Sequence, residues 1–279
     1  MQSNFVTCKS CGTRFQGRFC NNCGEKVYHP HDKSFSHFLE EAFHFITHFD
    51  TKIFRSLRLM FTKPGFLALE CCEGKRRKYI SPVSMFMIGV VIYLLFPVLQ
   101  GLNISFYNHI SNNNSLHINV IQQWAEHKAS VEHTTLEHLA EKFNHISPKF
   151  SKVLLLILIP LTALALSLLF RRKKEYFFDH MMLAAEINSV ILFLVFLILP
   201  VLFLGISKVL PIHLEYGDNL IFLTLHGILI LLILITSFRR FYQVKFLNAL
   251  IKSFLFIILY MLVLHIYRLI VFSIVMLFI

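Results

Sequence analysis

Apolar stretches of about 20 residues recur through this chain of 279, near 82–102, 151–170, 186–206, 219–238 and 253–279. Each is long enough to cross ~30 Å of hydrocarbon as a helix. No water is present there to satisfy backbone amides, so a spanning segment must be a helix or part of a closed barrel. Continuous apolar runs without alternation select the helix. Composition agrees, with 56% hydrophobic residues, 30 Phe and only 15% charged, against about 25% charged in an ordinary soluble domain. The expected fold is an all-α multi-pass membrane protein with about five transmembrane helices. Pro97, Pro160 and Pro200 fall inside the first three runs, where neighbouring helices can re-satisfy the freed carbonyls.

Lys and Arg order these spans. Residues 1–80 hold 13, the 171–178 loop holds four and the 239–252 loop another four. The alternate loops are poor, with three in 103–150 and one, Lys208, in 207–218. Cytoplasmic loops are the basic ones. The N-terminus is therefore expected in the cytoplasm and the C-terminus outside. The polar, cysteine-rich start shows no signal peptide. The 103–150 segment becomes an external loop domain, helix-prone from about Gln122 to His145, with six histidines and four glutamates. The net charge of +11 suits loops facing anionic lipid headgroups. Nucleic acid is not an expected partner, because no dense basic stripe interleaved with aromatics is present.

The most specific chemistry lies at the start. Cys8-Lys-Ser-Cys11-Gly and Cys20-Asn-Asn-Cys23-Gly are two C-x-x-C-G knuckles. Such a tetrad has the spacing of a tetrahedral Zn2+ site, with Cys8, Cys11, Cys20 and Cys23 as the ligands. Gly12 and Gly24 permit a positive φ where backbone amides approach sulfur. The residues between the knuckles, Gly12 to Phe19, read as a short hairpin. A zinc-ribbon head over 1–28 buries too little apolar surface to fold alone, so metal supplies the folding energy. Four ligands leave no open position, which makes the zinc structural. A reducing cytosol disfavours paired disulfides. The adjacent pair Cys71-Cys72 reads as buried or interfacial thiols.

Residues 29–80 form a membrane-surface segment ahead of the membrane domain, 81–279. An amphipathic helix over 34–49 gathers Phe35, Phe38, Leu39, Ala42, Phe45, Ile46 and Phe49 on one side. His37, Glu41, His44 and His48 line the other and offer a weak second metal site. A second, basic helix is expected from about Thr51 to Phe61. Both suit the cytosolic headgroup layer. The external His127, His138 and His145 return to one face only if their helix is unbroken. Ionisable groups at membrane depth are functional candidates: His226, His265 and Arg268 sit at comparable depth towards the outer surface, and Glu186 with Asn188 towards the inner one.

The head at 8–24, then Phe61-Thr-Lys-Pro64-Gly65, Gly74-Lys-Arg-Arg-Lys-Tyr79-Ile-Ser-Pro82 and Tyr176-Phe-Phe-Asp-His180 resemble the bacterial family known as domain of unknown function 3667. That resemblance implies a zinc-ribbon-headed, multi-pass protein of the bacterial inner membrane. It also leads one to expect histidines where this chain has Glu186 and Asn188. It implies no activity. The expected function is a non-enzymatic scaffold or adaptor whose cytosolic ribbon binds a partner protein, with a homo-oligomer possible. The alternative is a transporter or channel subunit using His226, His265 and Arg268. An intramembrane enzyme is disfavoured by the lack of G-x-S-x-G, H-E-x-x-H, P-loop and paired intramembrane aspartates.

Overall fold

A computed structural model describes residues 5–27, 52–75, 77–95, 105–110, 118–131, 133–174, 176–199, 201–202, 205 and 220–279. The helix expected over 34–49, with His37, Glu41, His44 and His48, lies outside them. Strands β1 (Val6–Thr7) and β2 (Arg14–Phe15) open the chain. The helices are α1 (Lys52–Thr62), α2 (Phe66–Cys72), α3 (Pro82–Leu95), α4 (Phe106–Ile110), α5 (Ile118–Val131) and α6 (Leu136–Val153). Then come α7 (Leu158–Leu169), α8 (Phe177–Phe193), α9 (Leu220–Tyr242) and α10 (Phe246–Phe278).

Among the described residues, three helices are long and apolar enough to cross a membrane: Leu136–Leu169, Thr224–Tyr242 and Phe246–Phe278. Of the five expected spans, these carry the second, fourth and fifth. The first and third segments hold the shorter apolar helix α3 and the helix α8, with neighbouring residues outside the described set. Leu136–Leu169 joins α6 to α7 through a 3₁₀ turn, Leu154–Ile157. Pro160 is the cause: it has no N–H to return to the carbonyl four residues back, so the preceding turn tightens.

The chain divides into two compact units, Met1–Val98 with Ile159–Tyr260, and Leu99–Leu158 with Met261–Ile279. The first unit is built around α8, which is buried from Phe178 to Val190 without interruption. A helix enclosed on every side carries polar residues only where each finds a partner. Asn188 donates to Thr162 Oγ1 of α7 at 3.0 Å and accepts from the Tyr260 hydroxyl of α10 at 2.9 Å. Ser189 returns its hydroxyl to the Ala185 carbonyl at 2.7 Å. α3 lies against α8 at Gly89, where a Cβ would stand 2.9 Å from Leu192.

Glu186 does more than satisfy itself. Its two carboxylate oxygens accept the backbone N–H groups of Gly65 at 2.8 Å and Ala68 at 2.7 Å. These are amides at the start of α2, which lack intrahelical acceptors. Gly65 takes φ 79° there, and a Cβ on it would meet the Ser237 carbonyl oxygen of α9 at 2.9 Å. Arg240 of α9 donates to the Pro64 carbonyl at 2.5 Å. The Pro64-Gly65 turn is thus held from α8 and α9 together. α1 joins the same unit through Ser56, whose buried hydroxyl accepts the Ile80 N–H at 3.0 Å. Arg55 covers the Tyr79 ring at 5.3 Å, and Phe66 meets that ring edge-on at 5.5 Å.

The second unit combines α4, α5 and α6 with the end of α10. Its centre is aromatic: Phe272 lies 5.2 Å from Phe143, 6.2 Å from Phe106, 5.9 Å from Trp124 and 4.9 Å from the His109 ring. Tyr267 donates to the Ser151 carbonyl and Lys128 to that of Met276. The helix expected over 122–145 is two helices, parted where His133 turns to φ 50°. Thr135 caps α6, its hydroxyl accepting the His138 N–H at 3.2 Å. Adjacent Thr134 and Thr135 explain the break, because short hydroxylated side chains favour caps over helix interiors.

Removing the Glu186 carboxylate leaves two buried amides unpaired, at about 1–3 kcal/mol each. Glu186→Ala should therefore lower the thermal unfolding midpoint in detergent sharply, and Glu186→Gln, which keeps one acceptor, by less. Gly65→Ala combines positive-φ strain with the Ser237 contact and should cost about 1–3 kcal/mol in the same measurement. Tyr260→Phe leaves the buried Asn188 carbonyl without this donor and should cost about 1–3 kcal/mol.

Candidate metal centre

The two knuckles fold to one pattern. In the first, the Cys8 N–H donates to the Thr13 carbonyl at 2.9 Å and the Gly12 N–H to that of Cys8 at 2.9 Å. In the second, the Cys20 N–H donates to the Glu25 carbonyl at 2.8 Å and the Gly24 N–H to that of Cys20 at 2.7 Å. Gly12 and Gly24 adopt φ 78° and 66°, as the C-x-x-C-G pattern predicts, because only a left-handed residue closes each turn. The hairpin expected between the knuckles is instead built around them. β1 and β2 pair antiparallel on either side of the first, Val6 with Phe15 and Thr7 with Arg14. A bridge between Phe19 and Lys26 flanks the second. The reason is that each knuckle is itself the tight turn that reverses the chain.

This arrangement brings all four sulfurs within 4.8 Å of one another. Across the knuckles, Cys8 stands 3.5 Å from Cys23 and Cys11 3.6 Å from Cys20. Sulfurs bound tetrahedrally at about 2.3 Å stand ~3.8 Å apart along each edge. All four cysteines are free thiols, and the group can hold a metal ion. Cys8 and Cys20 are buried beside Phe15, with Val6 and Val27 packed around them. Among the described residues no other cluster of His, Cys, Asp or Glu has metal-holding geometry.

Local hydrogen bonds already tune the thiols. The Thr13 hydroxyl, 3.3 Å from Cys11 Sγ, and the Thr13 amide pull that thiol down to about 6. At Cys23 the Glu25 amide favours the thiolate, but burial and the three other sulfurs outweigh it and push the thiol up to about 12. Four neighbouring sulfurs cannot all ionise without a cation among them. A thiolate-preferring divalent ion relieves that conflict, and the donor set fits one.

The remaining sequence candidates fall elsewhere. His226 is on α9, and His265 and Arg268 are on α10. His127 lies on α5 and His138 and His145 on α6, all three exposed. Cys71 is buried, with its thiol 3.7 Å from Met182 Sδ. Burial and the Asp179 carboxylate, which accepts its S–H, hold the Cys72 thiol well above its usual range. Neither thiol is primed as a nucleophile. Beside them His180 Nδ1 shares a 2.7 Å hydrogen bond with the Tyr242 hydroxyl, and Tyr242 stacks on Phe170 at 3.8 Å. Asp179, Met182 and Glu186 follow one another at three- and four-residue spacing, so one face of α8 receives α2 from Cys72 back to Gly65. That periodicity is the sequence signal for the shared face of α8, though not for its partners on α2.

Neither curated proteins nor solved structures provide a match to the chain. Residues 50–94 match the model of a family described as protein of unknown function, DUF3667. The match takes in α1, α2 and nearly all of α3, together with Pro64-Gly65 and the run from Gly74 to Pro82, while the cysteine tetrad and Tyr176–His180 lie outside it. The likeness to the DUF3667 family of proteins of unknown function thus lies in the segment that Glu186 and Arg240 hold in place.

Proposed function

We propose that this chain is a non-enzymatic scaffold or adaptor of the bacterial inner membrane, whose zinc-loaded N-terminal ribbon binds a partner protein in the cytosol. The single observation that carries this reading is the closed set of four thiols within 4.8 Å. A Cys₄ set leaves no coordination position for a substrate, so its metal is structural, and small metal-stapled ribbons commonly serve recognition. Zn2+ is the ion proposed, because thiolate donors in tetrahedral array with no redox demand suit it.

The membrane part of the proposal keeps five spans, with the N-terminus cytoplasmic and the C-terminus external, on the distribution of Lys and Arg. α1 supports a headgroup-layer position for the segment before α3. Its buried face is Ser56 and Met60, while Phe54, Arg55 and Arg58 are exposed and no acidic residue occurs in it. A basic exposed face carrying one aromatic ring suits anionic lipid headgroups.

Purified full-length protein should carry one zinc per chain by elemental analysis, and Cys20→Ser should lose it. Cobalt substitution should give the spectrum of a tetrahedral thiolate site. Crosslinking in intact membranes should recover a protein partner with the wild type and lose it with Cys20→Ser. A partner set indifferent to that substitution would sink the adaptor reading.

A further inference from the structure

Glu25 occupies an unusual position for a charged residue: it is 5% exposed and belongs to two structures at once. Its carbonyl accepts the Cys20 N–H at 2.8 Å, and its amide hydrogen-bonds the Cys23 sulfur. Its side chain points the other way, where Oε2 accepts the Arg77 backbone N–H at 3.1 Å. The Arg77 guanidinium lies over the adjacent Gly24, so closely that a Cβ there would stand 2.5 Å from Nη2. Glu73 and Gly74, from the turn that follows α2, share a small cavity with Cys8, Phe15 and Glu25 of the ribbon. That turn is firm. Lys75 Nζ reaches Glu70 at 2.8 Å and Glu73 at 2.7 Å, and α2 behind it is fixed by Glu186.

The second knuckle is therefore both half of the thiol site and the face by which the ribbon sits on its own chain. A ribbon of this size keeps its turns only with metal bound. Releasing the metal frees Cys20 and Cys23, and with them the backbone that aims the Glu25 carboxylate. We infer that Glu25 is a latch that seats the ribbon on the turn Glu73–Arg77 at the entrance to α3, and that metal in the four-thiol site sets the latch. This rests on the metal reading of Cys8, Cys11, Cys20 and Cys23. It goes beyond the adaptor proposal in giving the ribbon a docked state, which metal loss opens to uncover the α2–α3 turn.

The test is hydrogen–deuterium exchange on the full-length protein in lipid nanodiscs, read at the Arg77 amide, with bound zinc measured on each sample. Glu25→Ala removes the acceptor but keeps both backbone links to the cysteines. It should retain zinc and exchange at Arg77 about ten-fold faster, as expected for loss of a hydrogen bond to a charged acceptor. Glu25→Gln should fall between it and the wild type. Removing zinc from the wild type with a chelator should speed the same amide to a similar extent, while the amides of α8 stay protected. Unchanged Arg77 exchange in zinc-loaded Glu25→Ala overturns the latch. Unchanged exchange after chelation overturns its control by metal. Protein that carries no metal, yet loses protection at Arg77 in Glu25→Ala, refutes the metal reading and its control while supporting the latch itself.

Discussion

A single buried carboxylate organises the first unit. α2 is seven residues long, far too short to hold its helical turns alone. Its leading amides need acceptors, and Glu186 supplies one oxygen to each of two. Negative charge at a helix start is favourable, and two N–H donors offset part of the cost of taking the carboxylate out of water. Once α2 is seated, the turn after it, the start of α3 and the docking of α1 onto Ile80 are fixed in space. Arg240 secures the other side of the Pro64-Gly65 bend, so α8 and α9 are tied through a loop that belongs to neither.

The ribbon works by a different logic. Two copies of one small turn face each other and present four sulfurs to a common point. Apolar packing behind them is slight, limited to Phe15 and a few valines. The thiols instead carry an electrostatic conflict, one pulled down and another pushed up by their neighbours. A cation held among them would resolve it, and folding would then be coupled to loading.

Much of this was legible in the sequence, and the reasons differ by region. The C-x-x-C-G spacing announced both the thiol cluster and the left-handed glycines, because turn geometry and ligand spacing are local properties. Three long apolar helices were legible for the same reason: length and hydropathy are read directly from composition. Amphipathic α1 appeared within a residue of its expected bounds. The hairpin between the knuckles was misplaced, since strand pairing across a turn depends on which turn closes first. Thr135 stands out little as a cap, because the surrounding stretch is rich in good helix formers. The sequence leads one to expect Glu186 near the inner start of its helix but gives no sign of its partners, because they are backbone amides about 120 residues away. Backbone donors carry no signature of their own. The same holds for Glu25, whose role needs Arg77 beside it.

The ribbon's order in the chain has a consequence for biosynthesis. Cys8 to Cys23 all precede Pro82, where the first apolar helix begins. Translation therefore delivers all four thiols before α3 and the apolar helices that follow it, and domains tend to fold as units in that order. Arg77 and Glu186 arrive later, the latter only after more than half the chain. The four thiols are thus together in the chain before the residues that seat the ribbon, Arg77 and then Glu186, have been added.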